Sequence, residues 1–270
     1  MNHDVQYDGE QLSKIFANAV SPETLEAIMQ CDPPLLQAAH TRTATGFFAD
    51  IRGAGQMVDT IGSEATRELV VHVLRIITEE AISRGGYVDQ YIGDETVVFF
   101  GAPIPAAPEV QAKAAAETAL AVLHRVADLD VQLGIAFHTA DMEFGNFAPP
   151  AKPTYTPMGT DVYRAAVLEE YSAAAGNRPT VSAGVKALIE PEYRTAFVTV
   201  GFGARGNVSF DVYALVGRCD ALSADERSHW DSYDQAMNLI ENADSGAALA
   251  PLRSLAARDP SDQLIQTAID

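Results

Sequence analysis

Between residues 46 and 102, two apolar runs of strand-like composition each carry an aspartate that looks exposed. The first reads Gly46-Phe47-Phe48-Ala49-Asp50-Ile51-Arg52-Gly53. The second, after a long helix, reads Tyr87-Val88-Asp89-Gln90-Tyr91-Ile92-Gly93-Asp94-Glu95-Thr96-Val97-Val98-Phe99-Phe100. Aromatic and β-branched residues at this density specify strands, and a buried strand carries an acid only where something outside its apolar face needs one. Two such acids at adjacent strand ends can hold a divalent metal. The same residues admit a plainer reading: Asp94 after Gly93 suits a hairpin turn, and Asp50 ahead of Arg52-Gly53 suits a strand-end cap. The residues alone leave both open.

Composition limits what such a site can bind. With 270 residues and 47% apolar side chains, the chain can bury the core of one domain of about 150–200 residues with appendages. A net charge of −19 repels a polyanion, so no nucleic-acid partner is expected, and any nucleotide must be held by a metal and a few local cations. Cys31 and Cys219 form neither a disulfide framework nor a zinc spacing. No apolar run reaches membrane-spanning length and the N-terminus lacks a signal pattern, which predicts a cytoplasmic protein with no membrane partner.

In chain order, residues 1–40 predict an N-terminal helical segment. Leu12, Ile15, Phe16 and Val20 share one stripe, and Ser21-Pro22 opens a second helix that Pro33-Pro34 closes. After Asp50 comes the turn Arg52-Gly53-Ala54-Gly55, whose small residues let backbone N–H groups approach a phosphate at a helix start. Residues 64–84 predict an amphipathic helix stopped by Gly85-Gly86, 109–128 an alanine-rich helix, and 131–140 a strand in which His138 reads as structural. Residues 161–172 predict a helix capped by Asp161, and 179–189 and 197–215 the last strands. Residues 218–270 form a C-terminal segment in which Trp230, Tyr233, Ala236 and Leu239, then Ala247, Ala248, Leu252 and Leu255, resemble one tetratricopeptide-type helical hairpin.

Taken together, Phe48-Ala49-Asp50-Ile51-Arg52-Gly53, the following helix, Gly85-Gly86-Tyr87 through Gly93-Asp94-Glu95, and Phe99-Phe100-Gly101-Ala102-Pro103 resemble the class III adenylate/guanylate (nucleotidyl) cyclase homology domain. The order continues through Leu133-Gly134-Ile135-Ala136-Phe137-His138, Gly145-Asn146 and Tyr155-Thr156-Pro157-Met158-Gly159, so the resemblance covers residues 21–215 and sets the domain at 41–217. It implies an α+β fold with a ferredoxin-like βαββαβ core: a mainly antiparallel sheet with helices on one face, flanked here by the N-terminal helices and the C-terminal hairpin. It also implies a homodimer, or a heterodimer with a complementary cyclase domain, with sites at the interface.

The implied reaction is attack of a ribose 3′-oxygen on the α-phosphate of a nucleoside triphosphate, assisted by two Mg²⁺ or Mn²⁺ ions. By resemblance Asp50 and Asp94 are the metal ligands, with the Ile51 carbonyl. Arg178 and, more loosely, Arg205 match phosphate-contacting cations, while Gln90 and Thr156 occupy the base-reading positions. The same register puts Tyr163 where an asparagine positions the ribose and Val167 where an arginine stabilises the transition state. Arg164 is three residues before Val167, roughly sixty degrees away around a helix, and could substitute only under strain. The metal half of the implied site is present and the transition-state half is not. Three readings follow: a half-enzyme that requires a partner, an active cyclase of non-standard chemistry or substrate such as a pyrimidine nucleotide, and a pseudoenzyme that binds nucleotide or only dimerises and signals.

Overall fold

The computed structural model describes residues 9–31, 38–149, 151–202, 209–241 and 245–269. Helices α1 (Gly9–Phe16) and α2 (Pro22–Met29) lead into strand β1 (His40–Ile51). The short helix α3 (Ala54–Ile61) and the long helix α4 (Ser63–Ser83) then precede the hairpin β2 (Tyr87–Ile92) and β3 (Glu95–Phe100). Helix α5 (Pro108–Val126), strands β4 (Leu133–Gly145) and β5 (Thr156–Met158), and helix α6 (Thr160–Glu170) come next. They are followed by β6 (Thr180–Ser182), α7 (Ala183–Ile189), β7 (Tyr193–Phe202) and β8 (Ser209–Arg218). The chain closes with α8 (Ala224–Glu241), α9 (Ser245–Arg258) and α10 (Gln263–Ile269).

The strands form one sheet in the order β2-β3-β1-β4-β6-β8-β7, with β5 also paired to β4. Every pair is antiparallel except β4 with β6. The α+β class and the mainly antiparallel sheet are as the sequence predicts. Strand alternation divides the core: Phe47, Ala49 and Ile51 of β1 and Leu133, Ile135 and Phe137 of β4 point to one face, where α4, α5 and α7 cover them. The other face, carrying Phe48, Phe99 and Phe144, is covered by α1, α2 and α6. Beyond it Ala136, Val198, Val212 and Ala214 pack against Leu168 of α6 and against Trp230, Tyr233, Leu252 and Leu264 of the C-terminal helices. Helices α4, α5 and α7 lie on one face as expected, but α6, also within the domain, lies on the second face, which the appendages close.

Several local expectations are corrected. Residues 179–189 are not one strand: only Thr180–Ser182 is extended, and Ser182 Oγ then accepts from the Val185 N–H to cap α7. Val185, Leu188 and Ile189 have helical spacing, which this cap converts into a helix. Asp161 does not cap α6; the N-cap is Gly159, and the Asp161 carboxylate is taken by His138 and Arg164. Strand β4 runs on to Gly145, well past residue 140. In the C-terminal segment α8 pairs with α9, and α10 packs on α9 as a third helix. Among the described residues, no helix is long and apolar enough to cross a membrane.

Candidate functional site

The β1–β3 register, which ends at Ala49 opposite Thr96, brings the C-terminal end of β1 beside the turn of the β2–β3 hairpin. That turn is Gly93-Asp94, with Gly93 at φ +67°, a left-handed conformation open to glycine at no steric cost. The two readings of Asp94 are therefore compatible: it is a hairpin-turn residue, and its carboxyl group lies close enough to that of Asp50 to act on it. Burial at the strand end raises the Asp50 pKa above the ordinary carboxylate value, and the charge of Asp94 raises it further. Glu95 is raised as well, first by burial and then by Asp50 and Asp94.

Two neighbouring carboxyl groups, with Asp50 raised by the charge of Asp94, fit a divalent cation, whose charge would relieve the repulsion, and their hard oxygens suit Mg²⁺ or Mn²⁺. Among the described residues no group of three His, Cys, Asp or Glu side chains is arranged to hold a metal. The protein thus offers a two-carboxylate site whose other ligands would be main-chain, phosphate or water oxygens. Ile51, buried, follows directly. Helix α3 then begins at Gly53, which has no side chain to cap it. Among the described residues no side chain caps the start of α3, the arrangement that suits a phosphate at the leading N–H groups of Ala54 and Gly55.

Arg52 is placed differently from the sequence expectation. Its Nη2 is on the end of α6, 2.5 Å from Glu169 Oε1, donating to the Glu169 carbonyl at 2.7 Å and to Ser172 Oγ at 2.5 Å. Gly134, the partner of Asp50 across the sheet, makes this possible, because a Cβ there would overlap the Glu169 carboxylate and the Arg52 guanidinium. Arg52 therefore ties the metal-candidate strand end to α6. Glu169 is pushed up to about 7 by burial, with Asp50, Glu95 and Glu170 adding to the rise and Arg52 opposing it.

On the same hairpin, a β-bulge between Val88 and Gln90 makes Asp89 the extra residue. Gln90 is exposed, whereas Asp89 is half-buried and accepts from Thr156 Oγ1 at 2.9 Å. Thr156 is thus bound to Asp89. Burial lifts Asp89 from the usual 3.8 to about 6, against the lowering effect of the hydrogen bonds from Thr156 and Tyr87. Because the folded state holds this proton more tightly than the unfolded chain, stability falls as pH rises from about 4 to about 6 and is flat above that. Asp89→Asn, which removes the buried charge and keeps an acceptor for Thr156, is expected to stabilise the protein on the order of 2 kcal/mol at pH 8 and by little at pH 4. Urea unfolding at the two pH values measures this; a variant less stable than the parent at pH 8 would refute the assignment.

Helix α6 buries Ala165, Leu168 and Glu169. Tyr163 is on its outer side, 71% exposed, with half-buried Val167 one turn later. Arg164 is paired with Asp161 at 2.9 Å and stacks over Phe210, which commits it away from the Val167 position. His138 joins Asp161, at 3.2 Å from Nε2, to Ser182, at 2.8 Å from Nδ1. This has the connectivity of a nucleophile triad, but Ser182 is buried and its hydroxyl caps α7. Burial lowers the His138 pKa, and the group is structural.

Arg178 is held by a bidentate pair with Asp262, at 2.8 and 3.0 Å, and by a bond to the Ala175 carbonyl. Arg205 lies outside the described residues. The structure thus brings Asp50, Ile51 and Asp94 together with the 53–55 turn, and engages Arg52, Thr156 and Arg178 with acids that sequence reasoning missed: Glu169, Asp89 and Asp262. Only Asp89 left a local signal, as a charge inside an apolar run.

No family model matches the chain. An uncharacterized protein of Mycobacterium tuberculosis strain H37Rv is 30% identical over 164 residues, which is 60% of this chain and 30% of that protein. A second from the same strain is 28% identical over 172 residues, 63% of this chain and 30% of the other. The chain therefore spans about a third of the length of these curated relatives. Among solved structures, the adenylyl cyclase CyaB from P. aeruginosa superposes with a TM-score of 0.63 at 23% identity, covering 69% of this chain and 100% of that one. The guanylyl cyclase Cya2 gives 0.56 at 21% identity, over 68% and 97%. The guanylate cyclase domain of RhGC from Catenaria anguillulae, solved with GTP, gives 0.59 at 17% identity, over 67% and 99%. The chain has the fold of class III adenylyl and guanylyl cyclase domains.

Proposed function

We propose that this chain binds a divalent metal–nucleoside triphosphate complex in the manner of a class III nucleotidyl cyclase, and that cyclisation by its homodimer is weak or absent. The observation that carries the reading is the facing pair Asp50–Asp94, set on a strand end and a hairpin turn of this fold, with an uncapped helix start immediately downstream. When bound, two Mg²⁺ or Mn²⁺ ions would acidify the attacking 3′-hydroxyl and neutralise the leaving pyrophosphate. Asp50, Asp94 and the Ile51 carbonyl would hold the ions, and the N–H groups of 53–55 would bind phosphate, the Arg52 N–H being taken by the Gln132 carbonyl at 2.8 Å. Arg178 and Arg205 are the candidate phosphate cations, and Gln90 and Thr156 the candidate base contacts. A nucleotide ligand of this kind goes with a cytoplasmic location.

The chemistry falls short on α6. A guanidinium at a phosphoryl transition state is worth about 10³ to 10⁵ in rate, and a positioned neutral donor about 10² to 10³. Val167 and Tyr163 supply neither, and in a symmetric dimer both sites carry both losses. A heterodimer with a domain that brings its own asparagine and arginine would restore one complete site, and the retained metal half favours this second reading over a pure dimerisation module.

The test is a product assay on the purified chain with Mn²⁺ and each of ATP, GTP, UTP and CTP, beside Asp50→Ala. The expected result is little or no cyclic product from any of the four. Robust product that vanishes in the control would overturn the impaired-homodimer reading and make Tyr163 and Gln90 determinants of specificity.

A further inference from the structure

The parallel register of β6 on β4 pairs Thr180 with Ala136. Followed two residues back, it sets Arg178 level with Gly134, which pairs with Asp50. Arg178 therefore starts from the same end of the sheet as the candidate metal site. Its guanidinium is nonetheless held by the C-terminal segment. Both terminal nitrogens are on the Asp262 carboxylate, Nη1 is also on the Ala175 carbonyl, and Cζ lies 5.1 Å from the Trp230 ring centroid. Asp262 is 3% exposed at its side chain and also starts α10 by accepting from the Leu264 N–H. A solvent-open cavity of about 570 Å³, walled by Glu226, His229, Arg258 and Asp259 of the C-terminal segment, borders the pair.

We infer that the C-terminal helices are an autoinhibitory latch: Asp262 and Trp230 hold Arg178 off the triphosphate, and nucleotide engagement by Arg178 requires the α9–α10 end to release it. This rests on the nucleotide-binding reading given above. Turning the guanidinium to a triphosphate would leave Asp262 buried without its cation, which is strongly unfavourable. The two contacts therefore compete, and release of the pair is coupled to the seating of Leu264 and Ile265 in the shared core. The affinity for triphosphate is reduced by the fraction of molecules in which the latch is closed.

The test is calorimetric titration with Mn²⁺ and inorganic tripolyphosphate, a probe that does not depend on base identity. Asp262→Asn keeps the acceptor for Leu264 and weakens the hold on Arg178, so it is expected to bind about tenfold more tightly than the parent. The gain should vanish in Asp262→Asn/Arg178→Ala, and binding in every background should require Asp50. Equal affinity of the parent and Asp262→Asn, with Asp50 dependence intact, overturns the latch and leaves the site reading standing. Absence of Asp50-dependent binding in both overturns the two together. Hydrogen exchange on the parent gives a check that needs no variant at Asp262: the α10 amides should exchange faster with Mn²⁺-tripolyphosphate present, and unchanged or slower exchange refutes the latch.

Discussion

Asp50→Ala is expected to remove Mn²⁺-dependent nucleotide binding, with a loss in affinity of roughly 100-fold or more, while leaving the apo protein at least as stable as the parent. The two signs have one cause. Without metal, Asp50 is a half-buried carboxyl beside Asp94, and both burial and the neighbouring charge oppose its ionisation. Removing it relieves that opposition. With metal, the same oxygens are half of what the protein offers, and disturbing even the support of a ligand costs about 10- to 100-fold in metal affinity. Thermal melts separate the two terms, since a ligand at free concentration L that binds only the folded state stabilises it by RT ln(1 + L/Kd) and so raises the midpoint. The parent should shift upward with Mn²⁺ and ATP, whereas Asp50→Ala should not. If both proteins shift equally, the nucleotide is bound elsewhere and the site assignment fails. Asp50→Asn, which keeps the shape and removes the charge, should behave like the alanine variant.

That site was legible because its signals are local. A glycine before an aspartate between two β-rich runs specifies the turn at 93–94, and an acid closing an apolar run specifies the end of β1. Strand pairing then needs only the register to bring the two together. What the sequence hides is the partner of each cation. Arg52 reaches Ser172, 120 positions away, and Arg178 reaches Asp262, 84 positions away. No periodicity encodes such pairings; they follow from how α6 and α10 pack on the sheet. The same holds for Asp161, which has the composition of a helix cap but is drawn to His138 and Arg164 instead. Residues 183–189 went the other way: the β-like Thr180-Val181 run suggests extension, yet a single serine cap turns the chain into α7. Asp89 shows a third cause, since the bulge that buries its side chain is a property of two strands together.

Tyr163→Asn/Val167→Arg is expected to give the chain cyclase turnover, raising product formation at least about 10³-fold over the parent in the presence of Mn²⁺. The substitutions are structurally cheap. Tyr163 is 71% exposed, Val167 is half-buried, and the core face of α6 belongs to Ala165, Leu168 and Glu169, so neither change opens the core. Arginine at 167 has the reach to leave the helix surface, whereas Arg164 is spent on Asp161. The single variants should fall far short of the double, because a charge stabiliser acts fully only on a ribose that is already positioned, and groups that act as a unit are not additive. The measurement is initial rate of cyclic product with each of four nucleoside triphosphates for parent, singles and double. A folded double variant that binds Mn²⁺-nucleotide in an Asp50-dependent way yet turns over no faster than the parent would show that α6 is not what limits the reaction. Adding Asp262→Asn to that variant would then decide whether the missing component is Arg178, since releasing it should raise turnover, as distinct from binding, only in a site that is otherwise complete.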